Sequence, residues 1–409
     1  MQGLIGIIVL LILAWTFSER RKGVKVREIL VGLGIQTLLA FFLLRVEIVR
    51  EALLGLNYVV RAIEYATTEG TKVVFGFLGG DTVPFELTAD AAPYIFAFRV
   101  LPQILVFSVV ISLLWYWKIL PPIIRMFAAI LRRSLGVGGA VGVSASASVF
   151  LGMVEAPMVI RAYLKNLTRS ELFVVMTCGM STVAGSIMVL YANLLGSTID
   201  GALGHVLIAS VVNVIGAVYV ARIMVPEDSA TEAGDLVDSL KYESVMDAIS
   251  RGGSDGLRLV ANVAVMVIIL VSLVALCNFV LGLIPLETPI TLQRMMGWLF
   301  APIAWLMGIS WVDANAAGSL LGTKLILNEL IAFIQLSEMG SSLTAHTRLI
   351  MTYALCGFTN FGSLGILIGG VSALAPDRRA DLLSLGPKTL VSGTIVACLT
   401  GTIVGLISW

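Results

Sequence analysis

The stretch Gly322-Thr-Lys-Leu-Ile-Leu-Asn-Glu-Leu-Ile-Ala332 places a carboxylate, Glu329, inside an apolar segment that runs from Ala314 to Leu336. A charged side chain at membrane depth costs at least ~2.5–3.5 kcal/mol on insertion scales. A polar cavity, a pairing cation or a bound solute must therefore offset this cost. Gly318 and Asn328 interrupt the segment, which is typical of a re-entrant hairpin that enters a membrane and returns to the same side.

A second segment of the same kind lies earlier in the chain, at residues 137–160. It is rich in glycine and contains Glu155, followed by Pro157. Basic residues flank it on both sides, namely Arg125, Arg132, Arg133, Arg161, Lys165 and Arg169. Because Lys and Arg accumulate in cytoplasmic loops, both ends of this segment are expected in the cytoplasm, which predicts a hairpin entered from inside.

The two hairpins each begin a copy of a repeat. The order hairpin, broken span, span occurs at residues 137–224 and again at residues 314–409. The first copy is entered from the cytoplasm and the second from outside, so the repeat is predicted to be inverted. Paired apolar segments interrupted by glycine, at matching places in two halves, indicate a transporter with its site near the bilayer midplane.

The composition is that of a membrane protein. Of the 409 residues, 58% are hydrophobic and 13% are charged, whereas a soluble domain carries about 25% charged residues. The amphipathic stretch 48–80 is expected to lie in the membrane interface. The predicted fold class is an all-α polytopic membrane protein with about eight transmembrane helices, two re-entrant helical hairpins, one interfacial helix and an inverted repeat in its C-terminal two thirds.

The predicted spans divide the chain into four parts. Residues 1–119 hold scaffold spans and the interfacial helix, and residues 120–224 hold the first hairpin and its half of the repeat. Residues 225–312 hold a cytoplasmic loop, a scaffold span and an outer interfacial helix, and residues 313–409 hold the second hairpin and its half of the repeat. The cytoplasmic loop is expected at residues 226–256. The basic stretch 18–27 follows the first span, so both termini are expected on the outer side.

Four polar side chains lie in the interrupted segments: Glu155, Glu329, Asn360 and Ser363. Carboxylates accept hydrogen bonds from hydroxyl groups, and Asn both donates and accepts, so these groups suit the vicinal diol of a sugar-like solute. Structural roles are also open. Lys324 is close enough in sequence to neutralise Glu329, and Asn360 with Ser363 could satisfy backbone groups freed by a helix break.

These motifs resemble those of the concentrative nucleoside transporters, over nearly the whole chain and most strongly from residue 136 on. The matching motifs are Gly152-Met-Val-Glu-Ala-Pro157, Met180-Ser-Thr-Val-Ala-Gly-Ser186, the Gly322–Glu329 stretch and Cys356-Gly-Phe-Thr-Asn-Phe-Gly-Ser363. The resemblance implies a homotrimer in the lipid bilayer of a bacterial inner membrane, where the outer position expected for both termini is periplasmic. It also implies nucleoside import coupled to a proton or Na+, with no other cofactor.

The resemblance also implies which side chains contact a nucleoside. Glu329, Asn360 and Ser363 correspond to the family's ribose contacts, and Ile187 to an apolar residue near the base. The full set of expected substrate contacts has five more residues. Glu155, Met153 and Val154 belong to the first hairpin, Phe358 is the aromatic residue before Asn360, and Asn328 precedes Glu329.

Two departures from the family pattern change these expectations. The family's first hairpin typically reads Gly-Gln-Thr-Glu or Gly-Gln-Ser-Glu, and here Met153 and Val154 replace the two residues that address the base. Met is flexible and adapts to different shapes, so the base is expected to be read more loosely, with purines accepted. The ribose end is expected to be read as in the family.

The second departure concerns the coupling ion. The family's sodium site corresponds to Ser148, Leu151, Thr182 and Val183, and Ser148 stands where the family has Asn. Backbone carbonyls could still hold sodium, but fewer side-chain oxygens favour a proton. Glu155 is then the expected proton carrier.

Other classes of protein fit the sequence less well. An intramembrane enzyme could use Glu155 and Glu329 as an acid and base, but no nucleophile or metal motif supports it, so the chain is predicted not to be an enzyme. A passive channel needs no inverted repeat, and a receptor needs a larger polar domain. A symporter for another ribose-bearing or polar solute stays open. The net charge of +1 gives no reason to expect a nucleic acid partner.

Overall fold

The computed structural model describes residues 2–84, 95–99, 101–137, 139–196, 198–227, 241–284 and 290–408. These residues form helices and no strands, as predicted. The N-terminal part contains α1 Gln2–Thr16, α2 Val26–Arg45, α3 Glu47–Phe75 and the short α4 Phe96–Arg99. Helix α3 covers most of the stretch expected in the membrane interface, and the polar loop that follows lies largely outside the described residues.

Two sets of seven helices follow. The first set is α5 Leu101–Tyr116, α6 Leu120–Leu135, α7 Gly139–Ala147, α8 Glu155–Met158, α9 Arg169–Ser181, α10 Gly185–Leu195 and α11 Ala202–Met224. The second set is α12 Val245–Gly282, α13 Leu292–Leu306, α14 Trp311–Ile326, α15 Glu329–Met339, α16 Ala345–Leu355, α17 Phe361–Leu374 and α18 Arg379–Ile407. In each set, a helix and an amphipathic helix precede the hairpin, the broken span and the last span.

The matching order of helices thus extends two helices before each hairpin, and the inverted repeat at residues 137–224 and 314–409 stays a prediction. Helix α6 lies where only a basic flank was expected. It buries Leu120, Ile124, Ala128, Leu131 and Leu135 at the spacing of one helix face and leaves its arginines on the others. Its counterpart α13 packs along α14, with a bend of 119° between the two.

The long helix α12 corrects the later part of the loop expected at residues 226–256, of which residues 228–240 lie outside the described residues. Ser244 caps its first turn by accepting a hydrogen bond from the Asp247 amide, and the helix starts at Val245. The polarity of this stretch suggested a loop, but Gly252 and Gly256 let α12 approach α5 closely. An added Cβ would lie 2.6 Å from Ser112 Oγ at Gly252 and 3.0 Å from Leu105 Cα at Gly256.

Five helices of the described residues are long and apolar enough to cross a membrane: α2, the α4–α5 segment, α11, α12 and α18. Helices α1 and α17 are shorter and apolar. The broken spans are pairs of helices in series, α9 with α10 and α16 with α17. The total of eight spans, the re-entry of the hairpins and the outer position of both termini stay predictions.

The two helix breaks meet at the centre of the molecule. The side-chain amide of Asn213, on α11, donates to the Ser181 carbonyl at 2.7 Å and to the Cys356 carbonyl at 3.4 Å. Ser181 ends α9 and Cys356 follows α16. The Thr359 hydroxyl in the second break donates to the Met180 carbonyl of α9. Buried polar bonds thus join the breaks of the two halves directly.

Candidate functional site

A cavity of about 620 Å³ lies between the two hairpins and the second helices of the two broken spans. All of the substrate contacts expected from the sequence line it, namely Glu155, Glu329, Asn328, Asn360, Ser363, Phe358, Ile187, Met153 and Val154. These residues come from four helices, α8, α10, α15 and α17, and from the turns that precede three of them, across both halves of the chain. The structure therefore brings the whole set together, and their part in binding stays a prediction.

Glu329 is the best-supported polar group of the cavity. It is the first residue of α15, and its carboxylate is 5% exposed. Oε1 accepts a hydrogen bond from the Tyr191 hydroxyl at 2.6 Å, and Oε2 accepts one from the Asn360 amide at 2.9 Å. Asn328 caps the same helix by accepting from the Ile331 amide at 2.9 Å. The carboxylate thus has a fixed orientation at a helix N-terminus, where the helix dipole favours negative charge.

Asn360 caps a broken helix, one of the two roles that the sequence left open, and it also contacts Glu329. Its carbonyl oxygen accepts from the Ser363 amide at 2.7 Å and so caps α17. Its amide nitrogen donates to Glu329, which faces the cavity. Ser363 is 7% exposed and Phe358 is 6% exposed. The break between α16 and α17 therefore lines the cavity with the Asn360 amide, the Ser363 hydroxyl and the Phe358 ring, all largely buried.

Lys324 does not form an ion pair with Glu329 within the described part of the chain. Its ammonium is buried and donates to the Ala354 carbonyl at 2.9 Å and to the Cys356 carbonyl at 3.4 Å. These carbonyls lie at the C-terminal end of α16, where a cation is favourable. Lys324 therefore stabilises the end of a broken helix, and the carboxylate of Glu329 is left to its two hydrogen-bonding neighbours.

Glu155 has a different environment. It is the first residue of α8 and lines the cavity, and in the described residues no side chain donates to its carboxylate. The residue is exposed to the cavity. Gly152 makes room for it, because an added Cβ there would lie 2.2 Å from Glu155 Oε2. This carboxylate therefore occupies space left by the missing side chain of Gly152, and it remains available to a proton, a cation or a solute.

Met153 and Val154 precede Glu155 in the turn of the first hairpin. Met153 is 9% exposed, and its backbone and Cβ pack against α9, where an added Cβ at Gly179 would lie 3.2–3.4 Å away. Val154 packs on α17, where an added Cβ at Gly370 would lie 2.5 Å from its Cγ2. The two apolar side chains thus form the wall where the family has polar groups.

The expected ion-binding residues lie between the first hairpin and the first helix break. The Gly185 amide donates to the Phe150 carbonyl at 2.9 Å and joins the two segments. Ser148 donates to the Ala145 carbonyl at 2.7 Å and Thr182 to the Cys178 carbonyl at 2.9 Å, and both are buried. Hydroxyl oxygens that donate in this way keep acceptor capacity. The remaining expected groups there are the buried backbones of Leu151 and Val183.

The cavity also has polar groups that the sequence did not single out. Tyr191 lies in the apolar sequence of α10, where a tyrosine is expected to be a core residue. Its ring packs against Phe333, with centroids 4.7 Å apart. At the other end, Asp255 and Arg258 of α12 line the cavity and are well exposed, so the cavity reaches the surface beside the start of α12.

Comparison with known proteins covers nearly the whole chain. Residues 205–405 match the family described as the Na+ dependent nucleoside transporter C-terminus, residues 5–78 match its N-terminus, and residues 97–198 match a domain described as nucleoside recognition. Among related proteins, the nucleoside permease NupC of Helicobacter pylori is 33% identical over 98% of this chain and 96% of its own length. An uncharacterized transporter, YutK of Bacillus subtilis, is 34% identical over 99% and 98%.

Similarity extends to a mammalian protein and to solved structures. Human solute carrier family 28 member 3 is 32% identical over 98% of this chain and 59% of its own length. The structure of CNTnw in an inward-facing substrate-bound state covers 100% of this chain and 99% of CNTnw, with 32% identity and a TM-score of 0.91. An outward-facing form of a CNTnw variant gives the same TM-score.

Proposed function

Because the chain belongs to the concentrative, Na+ dependent nucleoside transporter family, we propose that it imports nucleosides across a cell membrane by symport with a cation. The chain is a carrier and not an enzyme, as the family is. The single observation that supports a nucleoside as substrate is the carboxylate of Glu329, held by Asn360 in the wall of a cavity large enough for a drug-sized ligand.

The ribose is expected to bind at the Glu329 end of the cavity. A carboxylate offers about four acceptor sites, and two of those on Glu329 are taken by neighbouring side chains. The remaining sites suit two adjacent hydroxyl groups of a ribose. Ser363 and Asn360 add a hydroxyl and an amide on the same side, and Phe358 provides an apolar surface beside them.

The base is expected to bind against the first hairpin and α10. Met153, Val154 and Ile187 line this end, and none of these side chains makes the directional hydrogen bonds that separate one base from another. Shape and apolar contact would then decide base selection, which permits purines as well as pyrimidines. This is the proposed consequence of the substitution at positions 153 and 154.

The coupled cation is proposed to bind between the first hairpin and the α9–α10 break. Ser148, Thr182 and the backbones of Leu151 and Val183 are the candidate ligands for Na+. We favour a proton on Glu155, because this carboxylate has no side-chain donor among the described residues and lies in the same cavity as the substrate contacts.

Three further proposals follow from the family. The chain is proposed to form a homotrimer in a bacterial inner membrane, with periplasmic termini. Apolar side chains exposed along α12 would contact lipid or another subunit, and these are Leu257, Ile268, Leu276 and Phe279. The cavity mouth at Asp255 and Arg258 would then face the cytoplasm, because α12 starts on that side in the predicted topology.

The test is uptake of radiolabelled uridine and adenosine into proteoliposomes, with either a Na+ gradient or a proton gradient as the only driving force. Uptake driven by protons alone supports the carrier and assigns coupling to Glu155. Uptake driven by Na+ supports the carrier and assigns coupling to the oxygen ligands near Ser148. Absence of uptake under both gradients would overturn nucleoside import and favour a different polar solute.

A further inference from the structure

The hydroxyl of Tyr191 donates to Glu329 Oε1 at 2.6 Å across the boundary between the two halves of the chain. Tyr191 lies on α10 of the first half, and Glu329 begins α15 of the second half. The side chain of Tyr191 is 1% exposed and its ring is packed against Phe333. The ring of Tyr191 is therefore packed in place, with its hydroxyl at the carboxylate.

This bond determines where the carboxylate points. An unrestrained glutamate has several rotamers, and ordering it on binding would reduce affinity. Asn360 holds Oε2 from one side and Tyr191 holds Oε1 from the other. With both oxygens anchored, the unused acceptor sites of the carboxylate have a fixed direction before any ligand arrives.

The chemistry of the donor matters as well as its position. A tyrosine hydroxyl provides one donor on a rigid ring, and hydrogen bonds to an ionised acceptor are stronger than neutral ones. Tyr191 also lines the cavity, so it lies close to any solute that Glu329 binds. Its position suits a group that holds the acceptor and shapes the space beside it.

We propose that Tyr191 is a positioning residue for sugar recognition, which acts by holding the Glu329 carboxylate so that it can accept hydrogen bonds from ribose hydroxyls. The proposal rests on nucleoside binding at Glu329, as proposed above. It assigns to Tyr191 a part of the discrimination between ribonucleosides and their deoxy analogues.

The test compares Tyr191→Phe with Tyr219→Phe in the full-length protein. Tyr219 is the matched control, because it is also 1% exposed and its hydroxyl donates to a buried side chain, that of Gln36. Unlike Tyr191, Tyr219 and Gln36 are not among the residues that line the cavity in the described part of the chain. Competition against labelled uridine uptake gives the half-inhibiting concentrations of uridine, 2′-deoxyuridine and 3′-deoxyuridine. These concentrations do not depend on how much of each variant is folded.

In Tyr191→Phe we expect the half-inhibiting concentration of uridine to rise about tenfold, the size typical of a lost hydrogen bond to a charged group. One deoxy analogue lacks the hydroxyl that donates a hydrogen bond to Glu329. For this analogue the rise should be about twofold or less, because it forms no hydrogen bond that depends on the orientation of the Glu329 carboxylate. Tyr219→Phe should leave all three values unchanged.

An equal rise for all three ligands would overturn the proposal, since it would show a general structural role. No rise for any ligand would also overturn it. If the unmodified protein takes up none of these nucleosides, the proposed function itself fails and this inference fails with it. Uptake by the unmodified protein, combined with either of the first two outcomes, rejects only the role of Tyr191.

Discussion

Glu155 and Glu329 occupy the same position in the two hairpins, each being the first residue of the second hairpin helix, α8 and α15. Their surroundings differ. Glu329 accepts hydrogen bonds from two buried side chains, whereas Glu155 is exposed to the cavity beside Gly152. One position in the two hairpins thus has two chemical characters, an acceptor held by side chains in the second half and, in the first, a carboxylate with no side-chain donor among the described residues.

The fixed acceptor should be indispensable. Glu329→Gln removes the charge to which Tyr191 and Asn360 donate, and we expect nucleoside uptake to be nearly abolished. Loss of hydrogen bonds to a charged group, about 1.5–3 kcal/mol, corresponds to an affinity loss of roughly 10- to 100-fold. Glu338→Gln, an exposed position on the same helix, is the matched control. Uptake at normal affinity in Glu329→Gln would refute the assignment.

The apolar pair of the first hairpin should set base selectivity. Met153→Gln combined with Val154→Thr restores the residue types typical of the family, and we expect preference for pyrimidines over purines to increase about fivefold, as one added neutral hydrogen bond would give. Thr has nearly the shape of Val, so the contact with Gly370 is preserved. The ratio of uridine to adenosine uptake measures the effect. An unchanged ratio would show that the pair does not touch the base.

Space at Gly152 should be required for coupling. Gly152→Ala places a methyl group 2.2 Å from Glu155 Oε2, so the carboxylate, at the end of a flexible side chain, must move away from its present position in the cavity. We expect a loss of gradient-driven uptake with a smaller effect on exchange of nucleoside across the membrane. Gly365→Ala is the control, because an added Cβ there meets nothing within 4 Å. Equal uptake by the two variants would contradict the prediction.

A charge cluster outside the spans should make stability depend on acid. The Arg169 guanidinium donates to both oxygens of Glu19, and Lys388 donates to one. These bonds, with Arg169 the larger influence, lower the pKa of Glu19 from 4.5 to about 2. Since the pKa is lowered on folding, the stabilisation is complete above about pH 4.5 and is lost as pH falls toward 2.

Glu19→Gln should therefore lower the free energy of unfolding at pH 7 by about 1 kcal/mol, a value reduced by solvent screening at this partly exposed site. Thermal unfolding of the purified protein at pH 7 and at pH 3 measures the difference, which should shrink at the lower pH. Glu243→Gln, an exposed carboxylate, is the control. A difference that stays constant between the two pH values would show that the ion cluster does not stabilise the fold.

Much of the fold could be predicted because the membrane restricts it. Long apolar runs, basic flanks and glycine-interrupted segments predicted the helix pairs α7–α8 and α14–α15 and both helix breaks near their observed bounds. Polar composition misled at the start of α12, because it suggested a loop over the stretch that contains Gly252 and Gly256. Their real role is close packing against α5, which depends on a partner that a single run of sequence does not show.

The site was predictable to the extent that polar residues stand out in an apolar setting. Glu329, Asn360 and Ser363 are conspicuous for this reason. Tyr191 is not, because a tyrosine in an apolar helix usually belongs to the core and its partner lies far away in sequence. Lys324 misled in the opposite way. Its proximity to Glu329 suggested an ion pair, but the ammonium points to the end of α16.

The amide of Asn213 has a consequence for how tightly the two cargoes are linked. It bonds the carbonyl that ends α9, beside the proposed cation ligands, and the carbonyl that follows α16, beside the proposed ribose contacts. A displacement of either break lengthens a bond to the same nitrogen and so disturbs the other break. Such a shared anchor disfavours half-loaded intermediates, and a carrier built this way should leak little cation when no nucleoside is bound.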